Sequence, residues 1–208
     1  MKIELQNVLP DQIEKRSFEI ISEILGDKNI DPENEAVLKR VIHTSADFDY
    51  YDNLCFSEGA VEKGKKALRE GAVIVTDTQM ARAGINKTKL AQFGGEALCF
   101  MSDEDVAAAA KENGTTRATA CMDKAAQLQR PVIFAIGNAP TALVRLYELI
   151  DEGKISPALI IGVPVGFVNV VESKELIMHS PVPYIVARGR KGGSNVAAAI
   201  CNAMLYQL

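Results

Sequence analysis

The sequence predicts an α/β protein of the flavodoxin-like kind: a three-layer sandwich with a five-stranded, mostly parallel sheet and a helical N-terminal extension. Three observations predict this fold class. Short apolar runs alternate with helical segments along most of the chain, as in proteins built around a parallel sheet. The runs are continuously apolar, which is typical of strands buried on both faces. Hydrophobic residues make up 48% of the 208 residues, so a sizeable core can form.

The helical extension covers about the first 60 residues, where no strong strand pattern occurs. Residues 10–25 are predicted to form a helix. Residues 31–42 are predicted to form a second helix, with Asp31 as the N-cap and Pro32 in the first turn. This extension is expected to wrap the α/β core rather than to fold separately, so residues 1–208 are predicted to be a single domain.

The apolar runs predict five strands, and the segments between them predict helices. The strands are predicted at residues 72–76, 96–100, 131–136, 158–163 and 182–187. The helices are predicted at residues 63–69, 103–111, 115–128, 140–151, 168–178 and 193–206. Pro183 has no backbone N–H, so it is expected at the start of the last strand or on an edge.

Composition and cysteine spacing argue against several classes of protein. The net charge of −4 is unlike that of a general nucleic-acid binder. No apolar run approaches the ~18 residues of a membrane-spanning helix. Residues 1–7 lack the basic-then-apolar pattern of a secretion signal, so a cytoplasmic protein is expected. The four cysteines form no Cys-x-x-Cys pair and the two histidines are far apart, so no metal site is predicted.

Chemistry is expected at the carboxyl ends of the strands, because ligands of parallel α/β sheets bind there. Small, polar and glycine-rich segments follow the predicted strands, among them residues 137–143, which contain Asn138. The sharpest electrostatic feature is the loop at residues 188–195, with two arginines, Lys191 and three glycines ahead of a helix. Such a loop suits an anionic ligand, since the free N–H groups at a helix start also attract anions. The alternative is an ordinary loop with solvated charges.

No nucleotide-binding signature accounts for that loop. The segment from Gly189 to Ser194 does not match the phosphate-binding pattern GxxxxGK[ST], and no GxGxxG follows the first predicted strand. The sequence also lacks the GxSxG pattern of a nucleophile elbow. A polyanionic ligand other than a nucleotide is therefore indicated.

His43 is the strongest candidate for acid–base chemistry. It is one of two histidines and directly follows the helix predicted at residues 31–42. The apolar stripe of that helix points away from His43, whereas Arg40, three residues earlier, lies on the same side. Imidazole is the side chain best suited to exchanging protons near neutral pH. The competing interpretation is a surface or capping histidine.

Several stretches of the sequence, in the expected order, resemble the precorrin-8X methylmutase family, also called cobalt-precorrin-8 methylmutase or precorrin isomerase. They are residues 40–47, 77–85, 116–118, 137–143, 162–168 with 172–175, and 188–194. The resemblance extends over nearly the whole chain. One departure is visible, because the family usually has Gly-Ala-Ala where this chain has Asn169-Val170-Val171, a change that could reshape a pocket wall.

The resemblance implies an isomerase of cobalamin biosynthesis that works without a cofactor. A methyl group would move from C-11 to C-12 of a precorrin-8-type tetrapyrrole and give hydrogenobyrinate or cobyrinate. His43 takes the role of proton donor to ring C of the substrate. The substrate carries several carboxylates, which suit the cations of this chain. The residues implied for substrate binding are Ser17, Arg40, Arg117, Asn138 and Lys191. A homodimer is implied as well.

Several assignments stay open at this point. Arg117 is equally suited to a structural salt bridge, Ser17 to a plain position on a helix surface, and His179 to a structural or exposed role. A non-catalytic corrinoid carrier would use the same pocket but would not need an acid such as His43. A methyltransferase that uses S-adenosylmethionine is disfavoured, because the glycine-rich loop it needs is missing. Substrates with and without cobalt both fit these residues.

Overall fold

One sheet of six strands forms the centre of the structure, and helices pack on both of its faces. The computed structural model describes residues 6–208. The strands are β1 (Leu54–Phe56), β2 (Val73–Thr76), β3 (Glu96–Leu98), β4 (Val132–Ile136), β5 (Leu159–Gly162) and β6 (Tyr184–Ala187). Their order across the sheet is β1-β6-β5-β4-β2-β3. β1 is antiparallel to β6 and all other neighbours are parallel, which confirms an α/β fold with a mostly parallel sheet.

The predicted number of five strands is wrong, because β1 adds a sixth. Leu54 pairs with Ala187 and Phe56 with Ile185, so β1 forms an edge of the sheet beyond β6. The three apolar residues of β1 are bounded by Asn53 and Ser57, in a segment of the chain without a strong strand pattern, so they do not stand out as a strand in the sequence. The position of Pro183 is as predicted, since it lies just before the first residue of β6.

Eleven α-helices lie within residues 6–208. The first four are α1 (Ile13–Leu25), which follows a 3-10 turn at Pro10–Gln12, α2 (Glu35–Ser45), α3 (Tyr50–Asn53) and α4 (Ala60–Arg69). The others are α5 (Gln79–Gly84), α6 (Lys87–Gln92), α7 (Glu104–Glu112), α8 (Arg117–Ala125), α9 (Pro140–Asp151), α10 (Val170–Met178) and α11 (Ser194–Leu205). The short helices α3, α5 and α6 are not predicted by the sequence, and the remaining helices lie where they are predicted, with shifted ends.

Helix α2 begins and ends later than the sequence predicts. The Asp31 carboxylate accepts a hydrogen bond from the Glu33 N–H at 3.0 Å, so it caps a turn before the helix rather than the helix itself. The helix ends just before Ala46, whose left-handed backbone (φ 52°) places its N–H 2.7 Å from the Ile42 carbonyl oxygen. His43 therefore lies in the last turn of α2 and not beyond it.

Alternate residues of the strands enter two separate cores, one on each face of the sheet. Ile74, Ile133 and Ile161 belong to the core that includes α1, α2, α4, α5 and α11. Their strand neighbours Val75 and Phe134 belong to the opposite core, together with α7, α8, α9 and α10. Because both sides of each central strand are buried, the strands read as continuous apolar runs in the sequence.

The four cysteines are free thiols, and three of them are buried. Burial raises the pKa of Cys121 to about 12, and it raises the pKa of Cys201 to about 12 as well. A thiol with such a pKa stays protonated near neutral pH and reacts slowly.

No helix within residues 6–208 is both long and apolar enough to cross a membrane. The N-terminal segment that lacks the pattern of a secretion signal begins with residues 1–5. These five residues lie outside the part of the chain that the structure describes.

Truncating a side chain at the centre of the sheet is expected to destabilise the protein far more than the same change on its surface. Ile133 of β4 is fully buried, whereas Ile24 of α1 is 58% exposed. We expect Ile133→Ala to lower the free energy of unfolding by about 2–5 kcal/mol. The control, Ile24→Ala, should lower it by less than about 0.5 kcal/mol. Chemical denaturation followed by circular dichroism measures both values, and equal losses would contradict the core position of Ile133.

Candidate active site

A buried carboxyl group organises the carboxyl edge of the sheet. Asp77 directly follows β2 and has no exposed surface. Its oxygens accept hydrogen bonds from the backbone N–H groups of Gly137 and Asn138, both at 2.8 Å, and of Ala139 at 2.6 Å. Burial raises the pKa of Asp77, and the three N–H groups act in the opposite direction. The loop after β4 is thereby fixed to the end of β2, with Asn138 itself exposed.

The start of α11 packs tightly against the same loop. A Cβ atom at Gly137 would lie 2.7 Å from Cα of Ser194, so the close approach requires glycine. The hydroxyl groups of Ser194 and Thr78 are 2.8 Å apart and share a hydrogen bond. Thr78 also caps α5, because its hydroxyl accepts from the Ala81 N–H at 3.0 Å. The ends of β2 and β4 and the starts of α5 and α11 therefore form one tightly packed junction.

His43 lies near this junction, in a cleft of about 260 Å³ between α2 and α11. The walls of the cleft include Arg40 of the same helix, Gly84 of α5 and residues 195–206 of the α11 region. His43 is exposed, and its ring stacks on the ring of Phe18 with centroids 5.2 Å apart. In the described part of the chain no hydrogen bond engages the imidazole nitrogens, so both are open to a ligand.

Arg40 is held beside His43 by three neighbours. Its guanidinium lies over the ring of Phe18 at 4.7 Å and over the ring of Tyr206 at 5.2 Å. It also forms an ion pair with Glu14 of α1. A planar cation placed between two aromatic rings has little freedom to move, so its position in the cleft is well defined.

Ser17 precedes Phe18 in α1, but it does not line the His43 cleft. Its hydroxyl donates a hydrogen bond to the Ile13 carbonyl oxygen at 2.9 Å, within the same helix. A second groove, of about 340 Å³, is lined by Arg40 together with Phe18 and Tyr206. The two openings share Arg40 and Tyr206 as their common wall.

Lys191 links the cationic loop, residues 188–194, to the end of α2. Its ammonium contacts Asp47 at 2.6 Å and Asp49 at 2.7 Å. Hydrogen bonds to these carboxylates raise the pKa of Lys191, and the bond from Lys191 lowers the pKa of Asp47. The ammonium predicted to bind substrate is thus already paired with two carboxylates, which follow the helix that carries His43.

The two arginines of the cationic loop have different surroundings. Arg188 forms a bidentate ion pair with Glu175, at 2.8 and 2.9 Å. This pairing raises the pKa of Arg188 and lowers that of Glu175. Arg190 is exposed and forms no ion pair with any residue from 6 to 208.

Lys174 of α10 is fully buried against the cationic loop. Its ammonium donates hydrogen bonds to the carbonyl oxygens of Gly189 at 2.8 Å and Lys191 at 2.9 Å. Burial lowers the pKa of Lys174 to about 8, because a charged group loses its hydration there. Lys174 therefore holds the backbone of the loop from inside the protein.

Arg117 is the first residue of α8 and lies at the same edge of the sheet. Thr116 caps this helix by accepting from the Thr119 N–H at 3.1 Å. The Thr116 hydroxyl is 2.8 Å from that of Thr141 in the first turn of α9, which starts after the loop held by Asp77. Arg117 is exposed, and no carboxylate of the described residues pairs with it, so no structural salt bridge is present there.

Apart from Ser17, the sequence-predicted residues fall into two groups in the structure. His43 and Arg40 share one cleft, and Lys191 joins them through the carboxylates that follow α2. Asn138 and Arg117 lie along the carboxyl edge of the sheet and do not line that cleft. A ligand that contacts both groups must therefore be large.

Two organising residues were not singled out from the sequence. Asp77 could have been found, because a carboxylate directly after a fully apolar strand lies where ligands and loops of such sheets meet. Lys174 gives no such signal, since a lysine in a helix is normally exposed. Only the tertiary structure shows that it is buried.

The second histidine lies away from the cleft. His179 is exposed at the end of α10, with Nδ1 2.7 Å from the Glu175 carbonyl oxygen, in agreement with the structural or exposed role expected for it. Within the described residues, no group of three or more His, Cys, Asp or Glu side chains is arranged to hold a metal ion.

The family departure at residues 169–171 lies at the start of α10. Asn169 adopts a left-handed backbone (φ 56°), which asparagine tolerates better than most residues other than glycine. Val170 is buried, and a Cβ atom at Gly166 would lie 3.2 Å from its Cγ2. The departure thus shapes the turn that carries the exposed side chain of Phe167.

Known methylmutases are similar to this chain over almost its whole length. The profile of the family described as precorrin-8X methylmutase matches residues 12–207. The cobalt-precorrin-8 methylmutase of Salmonella typhimurium is 51% identical over 96% of each chain. The precorrin-8X methylmutase of Pseudomonas aeruginosa is 39% identical, over 92% of this chain and 93% of the other. A crystal structure of precorrin-8x methyl mutase from Thermus thermophilus has a TM-score of 0.86 and 41% identity, and covers 94% of this chain and 96% of that one.

The free energy of unfolding is expected to depend on pH because Lys174 loses its proton at a lower pH in the folded chain than in the unfolded chain. Its pKa is about 8 in the folded chain, against 10.5 for an unperturbed lysine. Below pH 8 both states are protonated, and burial of the charge has its full destabilising effect. From pH 8 to 10.5 the unfolded chain binds more protons, so the folded state gains stability as the pH rises.

Lys174→Met should remove this gain. The free energy of unfolding of the unsubstituted protein is expected to rise relative to that of the variant by up to about 3 kcal/mol across this window. Urea denaturation at a series of pH values measures the difference. Lys111→Met, at an exposed position of α7, is the control and should show the same slope as the unsubstituted protein. If the free energy of unfolding changes with pH in the same way for Lys174→Met and for the unsubstituted protein, Lys174 does not carry a buried charge.

Proposed function

The chain belongs to the precorrin-8X methylmutase family, and we propose that His43 handles the proton on which its reaction depends. The protein is an isomerase of cobalamin biosynthesis, which moves a methyl group from C-11 to the neighbouring C-12 within one precorrin-8-type tetrapyrrole. The methyl group starts and ends on the same molecule, so substrate and product have the same mass. The product is hydrogenobyrinate, or cobyrinate when the ring holds cobalt.

The exposed imidazole in the cleft is the observation that carries this proposal. Its ring is oriented by stacking on Phe18 and lies beside the guanidinium of Arg40. The imidazole nitrogens have no partner within residues 6–208 and are therefore free for a ligand that lies against α11. An imidazole held in this way can donate a proton or a hydrogen bond to the bound ring.

A proton from His43 would assist the shift by drawing electron density from ring C. The rearrangement is formally a 1,5-sigmatropic shift, in which the methyl group migrates across a conjugated π system. Protonation or a hydrogen bond at ring C makes that system more electron-poor at the carbon that receives the methyl group. As the corrin chromophore forms, the proton returns to the imidazole, so His43 ends the cycle in its starting state.

We assign the other sequence-predicted residues to binding of the substrate. The guanidinium groups of Arg40 and Arg117 suit its carboxylates, and the Asn138 amide at the carboxyl edge can form hydrogen bonds to the same groups. Ser17 is assigned a weaker contact, because its hydroxyl already bonds within α1. To bind a substrate carboxylate, Lys191 would have to give up its contact with a carboxylate of the protein. Its net contribution to the free energy of binding should therefore be smaller than that of an unpaired cation.

The cobalt-containing substrate is favoured by the names of the relatives. Six relatives named cobalt-precorrin-8 methylmutase are 37–51% identical, and two named precorrin-8X methylmutase are 39 and 34% identical. Anaerobic turnover of each substrate, recorded by absorption, tests the assignment. Faster conversion of cobalt-precorrin-8 would support it, and faster conversion of the metal-free substrate would overturn it.

A homodimer is proposed because one chain offers little space for a tetrapyrrole. The His43 cleft measures about 260 Å³ and the neighbouring groove about 340 Å³. Pockets for much smaller, drug-sized ligands already measure ~300–1,000 Å³. Phe167 is 83% exposed, Val168 78% and Met80 71%, as is typical of a surface that another chain covers.

We also propose the flavodoxin-like form of the fold and a single domain over residues 1–208. The parallel strands follow the order β3-β2-β4-β5-β6, which corresponds to 2-1-3-4-5 in that fold. The two cores on opposite faces of the sheet support three layers. The pairing of β1 with β6 ties the N-terminal extension to the sheet. The four free cysteines support a reducing, cytoplasmic location.

His43→Ala is expected to slow turnover by roughly 10²–10⁴-fold, with product binding little changed, because a general acid acts mainly in the transition state. The measurement is an anaerobic single turnover on chelator-treated protein without added nucleotide or methyl donor, followed by absorption and mass spectrometry. His179→Ala is the matched control and should keep the full rate, since His179 lies away from the cleft. A near-normal rate in His43→Ala would remove this residue from the mechanism. Binding without turnover by the unsubstituted protein would indicate a carrier.

Arg117→Ala and Lys191→Ala are each expected to raise the Kd for the corrin product and to weaken its dependence on salt. Exposed ion pairs contribute ~0.2–1 kcal/mol, and truncating one partner of a desolvated pair costs about 2–5 kcal/mol. Lys191→Ala should have the smaller effect, because its ammonium is already paired. Titrations at low and high salt measure both. Unchanged Kd values in both variants at every salt concentration would contradict these assignments.

The purified protein is expected to have twice the 22.5 kDa mass of one chain. The physical reason is the exposure of the neighbouring apolar side chains Phe167 and Val168, which a second chain can cover. Light scattering at micromolar concentration measures the mass. A fully active monomer would rule out the dimer as the functional form.

A further inference from the structure

We infer that Arg190 is a further substrate-binding residue of this chain and that Lys174 positions it. The inference rests on the proposed function, which supplies a large ligand rich in carboxylates. The cationic loop carries three charged side chains. Arg188 is paired with Glu175, and Lys191 is paired with the carboxylates that follow α2. Arg190 is the cation of this loop that has no such partner in the described part of the chain.

The backbone around Arg190 is fixed at three consecutive carbonyl groups. The oxygens of Gly189 and Lys191 accept hydrogen bonds from the Lys174 ammonium, at 2.8 and 2.9 Å. The oxygen of Arg190 accepts from the Gly166 N–H at 3.2 Å. The exposed guanidinium thus extends from a backbone that is already ordered. A ligand that binds it does not have to order the loop, and this favours affinity.

Within residues 6–208, the hydrogen bonds of the buried Lys174 ammonium go to this loop alone. A buried ammonium is costly unless it is paired, and no carboxylate pairs with Lys174 within residues 6–208. Both of its hydrogen-bond acceptors are backbone oxygens that flank Arg190. Because Lys174 is buried behind the loop, it acts on a ligand only through the loop. It is therefore a positioning residue.

The surroundings of Arg190 fit an apolar ring with carboxylates on its rim. On one side, Lys191 joins the loop to the end of α2 and so to the His43 cleft. On the other side, the Arg190 carbonyl oxygen accepts from the Gly166 N–H, next to Val165, whose side chain is 49% exposed. An arginine on a loop that is joined to the cleft can hold a carboxylate at the rim of a ring bound there.

Titration with two probes tests the role of Arg190: the corrin polycarboxylate product and its fully methyl-esterified derivative. Arg190→Ala should raise the Kd of the polycarboxylate about tenfold, as expected for loss of a hydrogen bond to a charged group. It should leave the Kd of the ester unchanged. Arg69→Ala makes the same change of charge at an exposed position of α4 and should alter neither value. Equal effects of Arg190→Ala and Arg69→Ala would overturn the inference.

Double substitution tests the role of Lys174. Lys174→Met should raise the Kd of the polycarboxylate and the KM of the substrate, while kcat at saturating substrate stays close to normal. Adding Arg190→Ala to Lys174→Met should cause little further loss, because both changes remove the same contact. Fully additive losses, or a lower kcat with an unchanged KM, would overturn the positioning role. If Lys174→Met does not fold, Lys174→Gln, which keeps a donor, provides the same comparison.

The outcomes separate this inference from the function on which it rests. If the unsubstituted protein neither binds nor converts the corrin compounds, the proposed function fails and the inference fails with it. If the unsubstituted protein binds the polycarboxylate and Arg190→Ala binds it equally well, only the inference fails.

Discussion

The hydrogen bonds between Asp77 and the loop after β4 are the interaction on which the rest of the site depends. One carboxyl group, without exposed surface, accepts hydrogen bonds from three successive backbone N–H groups. The loop that it fixes contains Gly137, which packs against the first residue of α11. The position of α11, and with it one wall of the His43 cleft, therefore follows from a contact made at the carboxyl ends of β2 and β4.

Two buried ionisable side chains, one acidic and one basic, hold the loops at the carboxyl edge of the sheet. Asp77 accepts from the backbone of one loop, and Lys174 donates to the backbone of another. Neither relies on the side chains of the loop that it holds. These backbone contacts do not involve the side chains of Asn138 and Arg190, so these exposed positions are free to be selected for contact with a ligand.

The parts of the structure that the sequence predicts are those that depend on local patterns. Continuous apolar runs identify the five parallel strands, since both faces of each central strand are buried. β1 escapes prediction because its short apolar run lies between Asn53 and Ser57 in a segment without a strand pattern, and because its pairing with β6 is a long-range contact. The start of α2 is shifted because Asp31 caps a turn instead of the helix. His43 is predictable from the apolar stripe of its helix, whereas the pairing of Lys191 with Asp47 joins residues distant in sequence.

The aromatic ring of Tyr206 gives the cleft an intrinsic optical probe. The chain contains five tyrosines and no tryptophan, so its ultraviolet emission comes from tyrosine alone. Tyr206 borders both the His43 cleft and the groove beyond Arg40. A coloured macrocycle bound there would lie within contact distance of this fluorophore and would quench it more strongly than the tyrosines elsewhere. Occupancy of the cleft is thus readable from the fluorescence of the unlabelled protein.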